Sequence, residues 1–192
     1  MPEQFPPLYL RAQKFVNGEL LWSVDAVKQF NADQGFFGFA CSPLVEGDKL
    51  WFVSSRGLVL CLDVNGFHDG KNDGDKKEPN ENKDEADVLW TVDMMNELGV
   101  SQHNMCSCSV TSAGDILFVC TSNGVDESHI NLPAPNAPSF IALDKKTGKL
   151  LWKDGAPGNN ILHGQWSSPA YAVIDGVPQI IFAGGDGWLY SF

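Results

Sequence analysis

Ala142-Leu143-Asp144-Lys145-Lys146-Thr147-Gly148-Lys149-Leu150-Leu151-Trp152 is the stretch whose reading decides the fold. An apolar run meets an Asp, the chain turns at Thr-Gly, and a second apolar run ends on Trp. Gly supplies the positive φ that such a tight turn needs. The pattern recurs at Ala12 to Trp22, with Lys14 in the place of Asp, and, split by an insertion, at Leu62-Asp63 to Trp90. A unit of this size cannot bury its apolar face alone, so its recurrence predicts an array.

A constant shift of 67 positions brings Ser42 onto Ser109, Gly47-Asp48 onto Gly114-Asp115, Ser55 onto Ser122 and Gly57 onto Gly124. A third copy begins at Ser167-Ser168-Pro169, turns at Asp175-Gly176 and reaches Gly184-Gly185-Asp186-Gly187. Its apolar runs are short, rich in Val, Ile, Leu, Phe and Trp, and bounded by Gly, Asp, Pro or Asn, which reads as strands. Four antiparallel strands per unit make a propeller blade, against the competing reading of a β-sandwich. The expectation is an all-β, partial and open β-propeller of about three four-stranded antiparallel blades. It divides into a blade remnant at 1–30, a blade at 31–98, a blade at 99–153 and a truncated blade at 154–192. By this register an Asp equivalent to Asp63 and Asp144 should follow Phe192, so the chain is expected to be a fragment of a larger ring.

The stretch Ala142 to Trp152, together with Ser-Ser-Pro-Ala and Gly-Gly-Asp-Gly-Trp-Leu-Tyr-Ser-Phe, resembles the repeats of PQQ-like, or quinoprotein-type, β-propellers over nearly the whole chain. The resemblance implies structural roles for Trp22, Trp90 and Trp152, each packing between neighbouring blades, and for Asp144, Thr147 and Gly148 in the outer turn. It implies two functional classes. One is a non-catalytic binding or scaffolding module of the cell envelope or periplasm; the alternative is part of a PQQ- and calcium-dependent alcohol or aldose dehydrogenase. Such dehydrogenases hold the quinone with an adjacent cysteine pair, a stacking Trp and a calcium triad. Here Ser107 separates Cys106 from Cys108, Trp166 is the stacking candidate, and no full triad can be assigned.

Composition narrows the partners. A net charge of −11 argues against nucleic acid, since phosphate binding needs a basic face, and a protein or small-molecule ligand is expected instead. No run is apolar for long enough to span a bilayer, and Met1 to Phe5 lacks the basic and apolar regions of a signal peptide. The five cysteines read as small buried hydrophobes.

Two insertions fall on opposite faces of the predicted blades. Val64 to Val88 joins third and fourth strands and carries eight acidic and four basic residues, which reads as a solvated or disordered loop. Within it Asp69 and Asp73 outline the start of a calcium loop, with Lys71 where an oxygen ligand belongs. The second insertion, 125–138, joins second and third strands and carries His129. Interblade links bring Ser101-Gln102-His103-Asn104 and His163-Gly164-Gln165-Trp166 to the same face, with Arg56 and Asp186 at short turns. The ligand-face candidates are therefore Arg56, His103, Asn104, His129, His163, Gln165, Trp166 and Asp186. Short helical turns opened by Asp25 and Asp93 complete the reading.

Overall fold

Runs of apolar residues between Asx and Gly turns pair in antiparallel order, giving four sheets in a computed structural model that describes residues 9–14, 16–30, 32, 38–74, 77–78 and 82–192. The first sheet pairs β1 (Tyr9–Gln13) with β2 (Leu20–Asp25). The second contains β3 (Leu44–Glu46), β4 (Lys49–Val53), β5 (Leu58–Asp63) and β6 (Val88–Asp93), in that order. The third repeats the arrangement with β7 (Thr111–Ala113), β8 (Ile116–Cys120), β9 (Phe140–Asp144) and β10 (Leu150–Asp154). The fourth has β11 (Ala170–Ile174), β12 (Val177–Ala183) and β13 (Leu189–Ser191). This is a partial propeller of antiparallel blades.

Register explains the Trp-terminated pattern. Trp22, Trp90 and Trp152 stand opposite Ala12, Cys61 and Ala142, and beside each Trp the pairing shifts by one residue at the preceding Leu21, Leu89 or Leu151. A bulge of this kind re-aims the next side chain. Trp90 donates from Nε1 to the Lys145 carbonyl at 3.1 Å, and Trp22 donates to the Val64 carbonyl at 2.8 Å. Each indole thus docks on the outer turn of the following blade. Gly148 has φ of 70°, and a Cβ there would lie 2.7 Å from the Trp90 ring, so both conformation and space demand Gly.

The turn itself is built as the residue types require. Asp144 Oδ1 accepts from the amides of Lys146 and Thr147 and from the Thr147 hydroxyl. At Lys14 the same backbone turn forms without the carboxylate: Gly18 N–H donates to Lys14 O at 2.8 Å, and Lys14 pairs with Glu19 at 2.9 Å. At the inner rim, Ser42 N–H donates to the Ser109 hydroxyl and Ser109 N–H to the Ser168 hydroxyl, both at 2.8 Å.

Two apolar clusters fill the spaces between blades. One joins Trp22, Val24, Phe52, Leu60 and Leu62; the other runs from Trp51 and Trp90 through Leu117, Phe140 and Leu143 to Phe182. Phe140 stacks on Phe182 with centroids 4.5 Å apart. Asp93 caps the short helix Met94–Leu98 by accepting from Met95 and Asn96, and Gly99 closes it with φ of 70°. No helix among the described residues is long and apolar enough to cross a membrane.

The acidic insertion, expected to be a solvated or disordered loop, is exposed over much of its described length but anchored at both ends. Phe67 and Asp87 are buried, His68 Nε2 lies 2.9 Å from the Leu21 carbonyl, and Ser23 N–H donates to Asp84 O at 2.9 Å. Its opening turn is the seat of Trp22, and its return edge satisfies the backbone of β2, so the described part is tied to the preceding blade. Such ties outweigh what its charge alone would favour.

Candidate functional site

Three links meet on one face. The interblade link before β7 carries His103, the insertion between β8 and β9 carries His129, and the link before β11 carries His163. Their ring centroids lie 4.3 to 4.9 Å apart. One nitrogen from each falls within 4.8 Å of the others.

Backbone hydrogen bonds lace these links together. Val125 N–H donates to His163 O and Gly124 N–H to Ser101 O, both at 2.8 Å, while His103 N–H donates to Ser122 O at 3.3 Å. A Cβ on Gly124 would sit 2.6 Å from the His163 carbonyl and 2.8 Å from His103 Cβ, so this approach is open only to Gly. His129 is held at φ of 61° in a loop organised by Asp126, whose carboxylate accepts from Ser128 and Asn131. Those hydrogen bonds, first Ser128 and then Asn131, bring the Asp126 pKa down to about 2.

The three imidazoles differ in environment. His103 is 1% exposed; its Nδ1 lies 2.8 Å from the Val125 carbonyl, and its Nε2 is buried without a hydrogen-bond partner. A carbonyl only accepts, so Nδ1 carries the proton and Nε2 presents a lone pair. His129 Nδ1 and His163 Nε2 lie 2.6 Å apart on the exposed side. Loss of solvent, then the nearby His103 and His129 rings, lowers the His163 pKa.

The other candidates take separate places. Trp166 stands over Gly164, donates to His103 O at 3.3 Å, and walls a cavity of about 400 Å³ with Ala40, Asn104, Met105 and Ser107. Gln165 is buried, and its amide donates to Asn123 O and Ser139 Oγ while accepting from Gly185 N–H, so it braces the face from below. Asp186 holds its own turn through Trp188 N–H and the Tyr190 hydroxyl. Arg56 is exposed in the turn between β4 and β5, on another blade from the imidazoles. Gly124, Gly164, Asp126 and the Val125 carbonyl were not singled out from sequence. Only the alignment of Gly124 with Gly57 and the Asp-x-Ser spacing at Asp126 could have drawn notice.

On the opposite side Asp69 and Asp73 approach Asp63, and the Lys71 ammonium lies 3.4 Å from Asp69 and 4.0 Å from Asp73. The cysteine environment bears on the quinone. Cys106 and Cys108 are both buried; Cys106 donates to Gln102 Oε1 and Thr121 O, and Cys108 to Cys120 O at 2.6 Å. Burial pushes the Cys106 thiol up to about 12. Neither faces the cavity beside Trp166, and the clustered donors on that side are imidazole nitrogens where calcium takes oxygen. Among the described residues, Cys106 and Cys108 do not form an adjacent pair at that cavity, and the imidazole cluster beside it does not offer the oxygen ligands of calcium.

No family profile and no curated protein sequence matches the chain. Among solved structures, quinohemoprotein alcohol dehydrogenase ADHIIG from Pseudomonas putida HK5 is similar, with a TM-score of 0.56 and 18% identity over 96% of this chain and 30% of that one. A europium-containing methanol dehydrogenase gives 0.44 at 18% identity, over 78% of this chain and 24% of that one. BamB from Moraxella catarrhalis gives 0.26 at 11% identity, over 95% and 76%. The likeness to ADHIIG supports the propeller fold, and the chain spans less than a third of either dehydrogenase.

Proposed function

We propose that the chain is part of a propeller that serves as a non-catalytic binding or scaffolding module, with its ligand face at His103, His129, His163 and Trp166. The observation that carries this reading is the convergence of three separate links on one spot, beside the cavity of about 400 Å³. Links between strands tolerate variation while the sheets hold their ends fixed, which suits such a face to recognition. The Pro-rich arm 132–138 adds stiffness: Asn123 Nδ2 donates to Ala134 O and the Thr121 hydroxyl to Pro138 O, each at 2.8 Å. A protein or small-molecule ligand and an envelope location, both implied by the family resemblance, belong to the same proposal.

The test is turnover. The whole protein, supplied with PQQ, Ca²⁺, an alcohol or aldose and an artificial electron acceptor, is expected to leave the acceptor oxidised. Acceptor reduction that requires PQQ would overturn the reading and return the chain to the dehydrogenases.

A further inference from the structure

We propose that His103, His129 and His163 form a binding site for a divalent transition-metal ion of the zinc class. This deepens the binding-module reading and rests on it, by giving the face a ligand chemistry.

The donor set is complete and selective. Three neutral imidazoles suit zinc and its neighbours, whereas calcium and magnesium seek oxygen. The Val125 carbonyl fixes the His103 tautomer by accepting from Nδ1, as an outer partner does for a ligating imidazole, and leaves Nε2 as donor. That Nε2 atom is buried without a partner, which is costly for a polar group unless something occupies the position it faces. In a tetrahedral site with bonds of 2.0 to 2.1 Å, ligand nitrogens stand about 3.3 Å apart. The His129–His163 pair, at 2.6 Å, has to open by less than an ångström, and both rings lie at the solvent side of the cluster. The rigid member is His103, held by its two packed neighbours at Gly124 and Trp166.

Three protein nitrogens leave a fourth position open on the solvent side, where a water or a donor from a bound molecule completes the ion.

Calorimetric titration of the metal-stripped chain with Zn²⁺, with Ca²⁺ in parallel, tests the site. A single saturable Zn²⁺ site that excess Ca²⁺ does not displace is expected. His129→Ala and His163→Ala remove exposed rings, and each is expected to weaken binding by at least about 100-fold while leaving the circular dichroism unchanged. Co²⁺ in place of Zn²⁺ should show the visible bands of a four-coordinate ion, lost in His163→Ala. No Zn²⁺ binding, displacement by Ca²⁺, or unaltered affinity in both variants would overturn the proposal. Its failure leaves the binding-module reading standing, because that reading fails only on PQQ-dependent turnover.

Discussion

The two loop clusters of this propeller gather potential cation ligands in opposite ways. Around Asp63, Asp69 and Asp73 the ligands are hard carboxylates, and the same loop delivers the Lys71 ammonium among them. Around His103, His129 and His163 the donors are imidazole nitrogens, and one buried nitrogen is left with no protein partner. The acidic cluster has one ammonium that offsets part of its charge, while the imidazole cluster has a nitrogen lone pair that no protein donor meets. The first insertion chiefly ties two blades together; the second supports a donor set.

Breaking the tie should have the largest effect. Trp22→Ala removes a fully buried indole and its hydrogen bond to Val64, and is expected to cost roughly 3–5 kcal/mol, read by denaturant unfolding. Retention of wild-type stability would show that the insertion does not depend on its seat. The loss should leave the imidazole cluster, two blades away, with unchanged Zn²⁺ affinity in whatever fraction remains folded.

Asp87 offers the next test. It is 1% exposed, and burial raises its pKa to about 6, above the ordinary carboxylate value near 3.9. The folded state therefore holds the proton more tightly than the unfolded chain. The group's effect is absent below about pH 4, and stability falls as pH rises through about 6, reaching the full penalty of about 3 kcal/mol above it. Asp87→Asn keeps an acceptor for the Asp73 amide and is expected to be more stable than wild type at pH 8, with the difference vanishing at pH 4. A thermal-melt comparison at those two pH values decides it.

Gly124→Ala acts on the other cluster. The added methyl meets the His163 carbonyl and His103 Cβ, so a loss of about 1–3 kcal/mol is expected together with weakened Zn²⁺ affinity. Stability loss with intact metal affinity would separate packing from donor geometry. Lys71→Ala should have the smallest effect on folding, under about 1 kcal/mol for exposed pairs. Yet it should give Asp63, Asp69 and Asp73 a Ca²⁺-dependent melting shift larger than wild type shows. No such shift would mean that Lys71 is not what separates the clusters.

Much of the architecture was legible in the sequence because propeller blades repeat both spacing and residue type. The offset that aligns Ser42 with Ser109 is the same relation that puts an amide of one against the hydroxyl of the other. Topology likewise assigned His103, His129 and His163 to one face, since alternate links of an antiparallel sheet share a side. Distances were beyond it. Nothing in the residue order tells that Gln165 turns inward to brace Asn123, that Asp186 is engaged by Tyr190, or that Gly124 sets the approach of two imidazoles. The buried anchor points of the acidic insertion, read as a solvated or disordered loop, were missed for a related reason. Composition reports average polarity, whereas His68 and Asp84 are held by particular contacts to β2, a strand far away in sequence.

The serine contacts at the inner rim have a geometric consequence. Blade-to-blade spacing there is fixed by a single hydroxyl at 2.8 Å, while at the outer rim an entire indole lies between successive blades. Each blade is thereby a wedge, narrow inside and broad outside. The taper, the width of an indole set against that of a hydroxyl, determines the angle between neighbours and so the number of wedges that complete a circle. Crowding the inner rung with a methyl beside its hydroxyl, as Ser109→Thr would, or thinning the outer one by exchanging Trp for Phe, is expected to change the arc itself.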